Sequence, residues 1–365
     1  MRLSAVYAFP KRVSTREKSS DVLGSGAGLG AAVAAESGPE LGETEQVRAR
    51  GYWEQVWRRF RHDKVAIASF VFIILLVIGA FIGSRVAENI LGHGPNHIFV
   101  GTPAIDPDLN PNADLWLKVT DPITQERTTL VLGASDRLGR DELLRILNGA
   151  KVSLEVAVLS TLFVMIIGVL LGASAGYYRG FVDTIISRLT EITMAFPSLL
   201  FIIALAATVG PRLDSITLGG LFAPGVITLV LVFSVFGWFY PARIMRAQVL
   251  SIREKEYIEA ARMVGAGDSR IIRSHVLPHL VAPMIVYSTL IVAQFVLAEA
   301  GLSFLGLGIK SPTASWGNML ADSVEFYTVR PTLMLWPGLA VLLTTLAFNL
   351  LGDGLRDAFD PRSSH

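Results

Sequence analysis

The sequence predicts an all-α integral membrane fold with six transmembrane helices, and three observations predict it. Of 365 residues, 52% are hydrophobic and only 17% charged, and the mean hydropathy of +0.50 lies far above that of a soluble chain of this length. Apolar runs of about 20 residues, the length a helix needs to cross hydrocarbon, begin near Val65, Val152, Ile192, Leu221, Leu280 and Met334. Lysine and arginine crowd some of the segments between these runs and almost desert others, as they do on the two sides of a membrane.

Taken in order, residues 1–50 read as a disordered cytoplasmic tail. The opening MRLSAVYAFPKR is followed by STREKSSD and not by the apolar core of a secretory signal, and GSGAGLGAAVAAESG is too small and flexible to build a core. Residues 51–64 form an amphipathic interfacial helix. In YWEQVWRRFRHD the side chains of Trp53, Val56, Trp57 and Phe60 recur at i, i+3, i+4 and i+7, with arginines left to face headgroups. Residues 65–83 are the first span, 84–151 an extracytoplasmic segment, 152–352 a core holding the other five spans, and 353–365 a cytoplasmic C-terminal tail.

Basic residues set the orientation. Arg48, Arg50, Arg58, Arg59, Arg61 and Lys64 precede the first span, and Arg243, Arg246, Arg253, Lys255, Arg262, Arg270 and Arg273 surround the connection between the fourth and fifth. The connection before the last span offers only Lys310 and Arg330. Both termini and the fourth connection are therefore expected in the cytoplasm. In the 84–151 segment Arg137, Arg140 and Arg145 are interleaved with Asp136, Asp141 and Glu142, and long loops obey the charge rule weakly.

Several chemistries are excluded. With no cysteine there are no disulfides, thiolate metal sites or cysteine nucleophiles. None of Lys11, Lys18, Lys64, Lys118, Lys151, Lys255 and Lys310 follows a glycine, so the GxxxxGK[ST] phosphate cradle is missing. No nucleophile, base and orienter constellation suggests an enzyme. A net charge of +1 gives no basic field for nucleic acid. An ion-coupled carrier needs ionisable groups at mid-membrane, and the spans offer only Glu155 near the start of the second and Glu299 near the outer end of the fifth. Glu299 reads as an interfacial carboxylate or as part of a gate or substrate path. His93 and His97, in HGPNH, lack the helical spacing and the neighbouring carboxylate of a metal pair, so no metal site is expected. Gly168, Gly172 and Gly176 lie on one face of the second span and suit close helix packing. Pro197, Pro224 and Pro283 stand where they can kink their helices.

Between the fourth and fifth spans lies EYIEAARMVGAGDSRIIRSHVLPHL, longer than two helices need to be joined. KEYIEAARMV is helical by propensity, Gly265 suits the left-handed residue that ends such a helix, and Asp268 or Ser269 suits the cap of the next. IIRSHVL is expected to form a second short helix, separated from the fifth span by Pro278. A DNA-reading helix-turn-helix has the same outline, but tethering to the bilayer keeps this one out of a major groove.

Glu259-Ala260-Ala261, Gly265 and Leu277-Pro278 resemble the EAA loop of ABC importer permeases, with His275 at a position where isoleucine is usual and histidine frequent in the peptide branch. DRLGRDELLRILNGAKVSL (136–154) and GLSFLGLGIKSPTASWGNML (301–320) are similar to two further segments of the dipeptide, oligopeptide and nickel branch, in particular its second permease subunit. Ala134-Ser135 stands where that branch usually has glycine-threonine, and much of 92–130 has no counterpart. The resemblance implies the type I ABC importer permease fold, with cytoplasmic coupling helices over 256–278. It makes Glu259, Ala260, Ala261, Gly265, His275, Leu277 and Pro278 the ATPase-coupling residues, with Arg262, Arg270 and Arg273 as a polar rim. The implied partners are a homologous second permease, two ATPase subunits that bind ATP and Mg while this chain binds no cofactor, and an extracytoplasmic substrate-binding protein. The implied place is a bacterial or archaeal plasma membrane, and the implied cargo a short peptide, or alternatively nickel or another small solute.

Overall fold

The computed structural model describes residues 51–99, 115–121, 125 and 127–360. The expected tail over 1–50, residues 100–114 and the end of the chain after residue 360 lie outside them. Helix α1 (Tyr52–Phe60) is followed by α2 (Lys64–Leu91), whose first turn is capped by Asp63 through the backbone N–H groups of Val65 and Ala66 at 2.9 and 3.0 Å. A two-stranded antiparallel ribbon, β1 (Leu117–Thr120) and β2 (Arg127–Leu130), precedes α3 (Glu142–Tyr178). Then come α4 (Gly180–Ala195), α5 (Ser198–Leu213), α6 (Val226–Gly237), α7 (Phe239–Arg253), α8 (Glu256–Met263), α9 (Asp268–Phe304), α10 (Trp316–Ser323) and α11 (Thr332–Phe359).

Four helices, α2, α3, α9 and α11, are long and apolar enough to cross a membrane, and the bent pairs α4–α5 and α6–α7 raise the number to six. The fold is that of a multi-pass helical membrane protein, with the short ribbon as an addition that the sequence did not signal. Its hub is α3. One face packs Ala150, Leu154 and Ala157 against α9, Trp316 and α11. Another packs Val152 and Val156 against Leu229 and Phe233 of α6. Outward-facing residues such as Leu75 of α2 and Leu170 of α3, both 62% exposed, suit a lipid surround.

The element boundaries depart from expectation where proline or glycine acts. The third run, expected from Ile192, straddles an 85° break, because Phe196 and Pro197 take extended backbone between α4 and α5. The fourth, expected from Leu221, starts only at Val226, after Gly225 in the left-handed region at φ 89°. It bends by 45° at Trp238, three residues before Pro241, which has no N–H to give the carbonyl one turn earlier. Pro224 therefore lies ahead of its helix and kinks nothing, and Pro283 sits inside the unbroken α9. The 84–151 segment is helical at both ends: α2 runs on to Leu91 and α3 opens at Glu142. Likewise residues 353–359 continue the helix α11.

Candidate functional site

The stretch from Glu256 to Pro278 folds as follows. Helix α8 carries Glu256 and Glu259 in its first turn and Arg262 in its last, the order the helix dipole favours. It ends in a complete Schellman turn: Ala266 N–H donates to the Ala261 carbonyl at 3.0 Å and Gly265 N–H to the Arg262 carbonyl at 2.9 Å. Gly265 holds φ 87° there, and a Cβ added to it would meet nothing within 4 Å. Only its backbone conformation demands glycine.

Two expectations are corrected in the second half. Neither Asp268 nor Ser269 is a cap; Gly267 occupies that position, and the Asp268 carboxylate instead accepts the Tyr177 hydroxyl at 2.7 Å. Nor does Pro278 separate a short helix from the fifth span. The chain runs from Asp268 to Phe304 as one 37-residue helix, with a π-helical turn over Ile272–Val276 just ahead of the proline. A wider turn at that point accommodates a residue that cannot donate to the carbonyl behind it.

The inner face is apolar and sealed. Ile258, Ile271, Val276 and Leu280 are completely buried in a cluster with Met245 and Val249 of α7 and Tyr177 of α3, and Ala261, Ala266 and Leu277 lie against it. The outer face shows Glu259, Ala260, Arg262, Gly265 and Pro278 exposed. With them stand Met263 and Val264, 84% and 89% exposed, neither of them a residue of the motif. Two bare aliphatic side chains at the tip of a rigid turn are the sort of patch a partner covers. His275 is half-buried near the Tyr257 ring, which stacks on His279 with centroids 5.8 Å apart.

The other two motif segments meet at the far end of α3. Arg140 donates to the Ser311 hydroxyl at 3.1 Å, Arg145 to the Pro312 carbonyl at 3.3 Å, and the Trp316 indole to the Ile146 carbonyl at 3.1 Å. Arg140 also pairs with Asp136, and Arg140 and Arg145 each approach Asp322, at 3.7 and 3.6 Å. Burial raises the Asp322 carboxyl above the usual carboxylate range, against the pull of Arg145 and Arg140.

Glu299 faces the inside of the bundle. It is completely buried, and its carboxylate accepts the hydroxyls of Ser153 and Ser303, each at 2.7 Å. His93 and His97 do have carboxylates at hand, contrary to expectation: Asp141 lies 3.1 Å from one and Asp121 2.8 Å from the other. Even so, no group of three or more histidine and carboxylate side chains able to hold a metal occurs among the described residues. Gly168, Gly172 and Gly176 of α3 face α7, where a Cβ on Gly176 would stand 2.8 Å from the Arg246 carbonyl oxygen.

In α1, Val56 and Phe60 are buried against Leu351 and Ala358 of α11 while Trp53 and Trp57 remain 59% and 57% exposed. One stripe of this helix is thus spent on the bundle, and its two tryptophans are left for the surroundings.

Comparison with known proteins agrees with this geometry. Residues 168–365 match the family described as binding-protein-dependent transport system inner membrane component, and residues 51–108 match the N-terminal transmembrane domain of oligopeptide transport permease C. The chain is similar to a glutathione transport system permease protein of Pectobacterium atrosepticum, 36% identical over 85% of this chain and 91% of the relative. It is also similar to dipeptide transport system permease proteins of Alkalihalophilus pseudofirmus (34% identical, 87% and 92% covered) and Bacillus subtilis (36% identical, 85% and 86% covered). This chain belongs to the inner-membrane permease family of binding-protein-dependent transport systems.

Proposed function

We propose that the chain is the second permease subunit of an ATP-driven importer that carries short peptides into the cell. The observation that carries this reading is the exposed ridge of Glu259, Ala260, Met263 and Val264, held by a Schellman turn on a sealed apolar base. A surface so stiffly mounted can receive a push without collapsing. The similar proteins named for glutathione and dipeptide transport favour a peptide cargo over nickel.

In this reading residues 256–278 and both termini face the cytoplasm of a bacterial or archaeal cell. Two ATPase subunits, which hold ATP and Mg, seat the ridge; His275, Leu277 and Pro278 lie behind it. A homologous permease completes the channel, and the Ser311–Asp322 end of the bundle faces the extracytoplasmic binding protein. Closure of the ATPase pair displaces the ridge, and the spans switch from inward to outward opening. The chain itself is non-catalytic. Affinity purification of the tagged chain at native expression tests the assembly: a second permease and ATPase subunits should accompany it. Recovery of the chain alone across several mild detergents would count against the importer and for a carrier driven by an ion gradient.

A further inference from the structure

Tyr177, in the last turn of α3, touches every element of the Glu256–Val276 connection. Its hydroxyl donates to Asp268 Oδ1 at 2.7 Å, at the start of α9. The Arg262 guanidinium, from the last turn of α8, stands 5.4 Å from the ring centroid, and that of Arg253, the last residue of α7, 5.7 Å. Both cations lie within cation–π range of the one ring, and the Arg253 Nη1 is buried without a hydrogen-bond partner. Tyr177 itself is 3% exposed.

What is gripped is a long element. At about 1.5 Å per residue, the 37 residues of α3 extend roughly 55 Å. At its far end Arg145 and Ile146 are bound to Pro312 and Trp316. The helix α9 also leads from the connection to that outer segment and packs on Trp316, but α3 is the one pressed closely along α7. Along α7 it is held so closely that no Cβ fits at Gly168 or Gly176. A neighbouring tie, Arg179 to Glu254 at 2.6 Å, is solvent-exposed and weak; Tyr177 is the buried one.

We propose that Tyr177 is the joint through which displacement of the ATPase-facing ridge is passed to α3 and so to the outer end of the bundle. Asp268, Arg262 and Arg253 are its sockets. This rests on the coupling reading above. Tyr177 is a positioning residue: it meets neither nucleotide nor cargo.

The test uses the complete importer in proteoliposomes, with the binding protein that copurifies from the native host, and reads the ratio of binding-protein-stimulated to basal ATP hydrolysis. That ratio reports communication across the membrane and is insensitive to how much complex is recovered. Tyr177→Phe keeps the ring and loses the hydroxyl; Asp268→Ala loses the acceptor; Asp268→Asn keeps one. The expected result is a several-fold fall in the ratio for the first two and near-wild-type stimulation for Asp268→Asn. An unchanged ratio in both Tyr177→Phe and Asp268→Ala, with ATPase still bound, overturns the joint while leaving ridge docking intact. A ratio that falls equally for Asp268→Asn also overturns it, since the shared hydrogen bond would then not be the cause. A wild-type complex that retains no ATPase, or shows no stimulation, overturns the coupling reading itself.

Discussion

Gly168 of α3 lies so close beneath Pro241 of α7 that a Cβ built on it would stand 2.6 Å from the proline Cβ. The same face presents Gly172 to the backbone of Ala242 and Gly176 to the Arg246 carbonyl oxygen, so three successive turns of α3 meet backbone instead of yielding side chains. Gly168→Ala is therefore expected to force the two helices apart at a cost of about 1–3 kcal/mol. Gly301→Ala is the control: a Cβ there would meet nothing within 4 Å, and alanine favours helix by up to about 1 kcal/mol. Thermal unfolding in detergent, followed by tryptophan fluorescence, should show a lower Tm for the first and an equal or higher one for the second.

The turn at Gly265 makes a different demand. Nothing crowds its Cβ position, yet φ is 87°, so the cost of a side chain is conformational. Gly265→Val should strain the turn by about 1 kcal/mol or more, while Gly265→Asn, which tolerates the left-handed region, should be nearly neutral. Limited proteolysis of the 256–278 stretch in detergent should separate them, with cutting accelerated in the valine variant only. Equal protection in both would show that φ is not what glycine supplies there.

These two cases show how far the sequence could be read. The left-handed turn was legible because MVGAGDS places glycine directly after a helical run, and helix C-termini have few alternatives. The facing of Gly168, Gly172 and Gly176 onto a neighbour was legible too, but which neighbour was not, since spacing within one helix says nothing of its partner. The boundaries of α4, α5 and α6 were missed because hydropathy over a window does not register a single break such as that at Phe196–Pro197. The role of Pro278 was misread because a π-helical turn over Ile272–Val276 leaves no mark in the residue pattern. Tyr177, Met263 and Val264 escaped notice because each looks ordinary until tertiary packing decides which is buried and which is bare.

Glu299 was read as interfacial or as part of a gate, and its burial between Ser153 and Ser303 makes those roles separable by substitution. Ser303 also accepts the Ile309 N–H at 2.9 Å, so the carboxylate organises the chain just beyond α9. Glu299→Gln keeps an acceptor for one serine and a donor for the other and should retain both stability and uptake. Glu299→Leu strands two buried hydroxyls, at about 1–3 kcal/mol each, and should lower Tm. Normal Tm with uptake abolished in the glutamine variant would instead assign Glu299 to the substrate path.

Arg145 is completely buried, and its Nη1 and Nη2 reach the Pro312 carbonyl and Asp322 on separate elements. Truncation to alanine vacates a buried site and leaves the Pro312 carbonyl without its donor, while Asp322 keeps Arg140 beside it; the lost buried hydrogen bond alone costs about 1–3 kcal/mol. Lysine should not restore stability, because a single ammonium cannot serve two acceptors placed for a planar guanidinium. Expression and detergent-extracted yield of Arg145→Ala and Arg145→Lys should both fall; full recovery with lysine would reduce the site to its charge alone.

The last prediction concerns the ridge, where two kinds of contact can be distinguished. Glu259→Lys reverses one exposed charge, and a rim charge acts mainly on association rate and its salt dependence. In the proposed complex Met263 and Val264 form the apolar centre, where truncation removes buried area and acts through dissociation. Met263→Ala combined with Val264→Ala should therefore weaken ATPase retention in a manner little affected by ionic strength, whereas the effect of Glu259→Lys should shrink as salt screens it. Both variants leave Ile258 and Ile271, on which α8 is seated, untouched, so membrane insertion should be normal in each. Copurified ATPase, measured at low and high salt, provides the comparison. Should the double alanine variant retain ATPase as well as wild type does, the exposed pair would not be the docking centre, and contact would have to be sought along Glu259 and Ala260 alone.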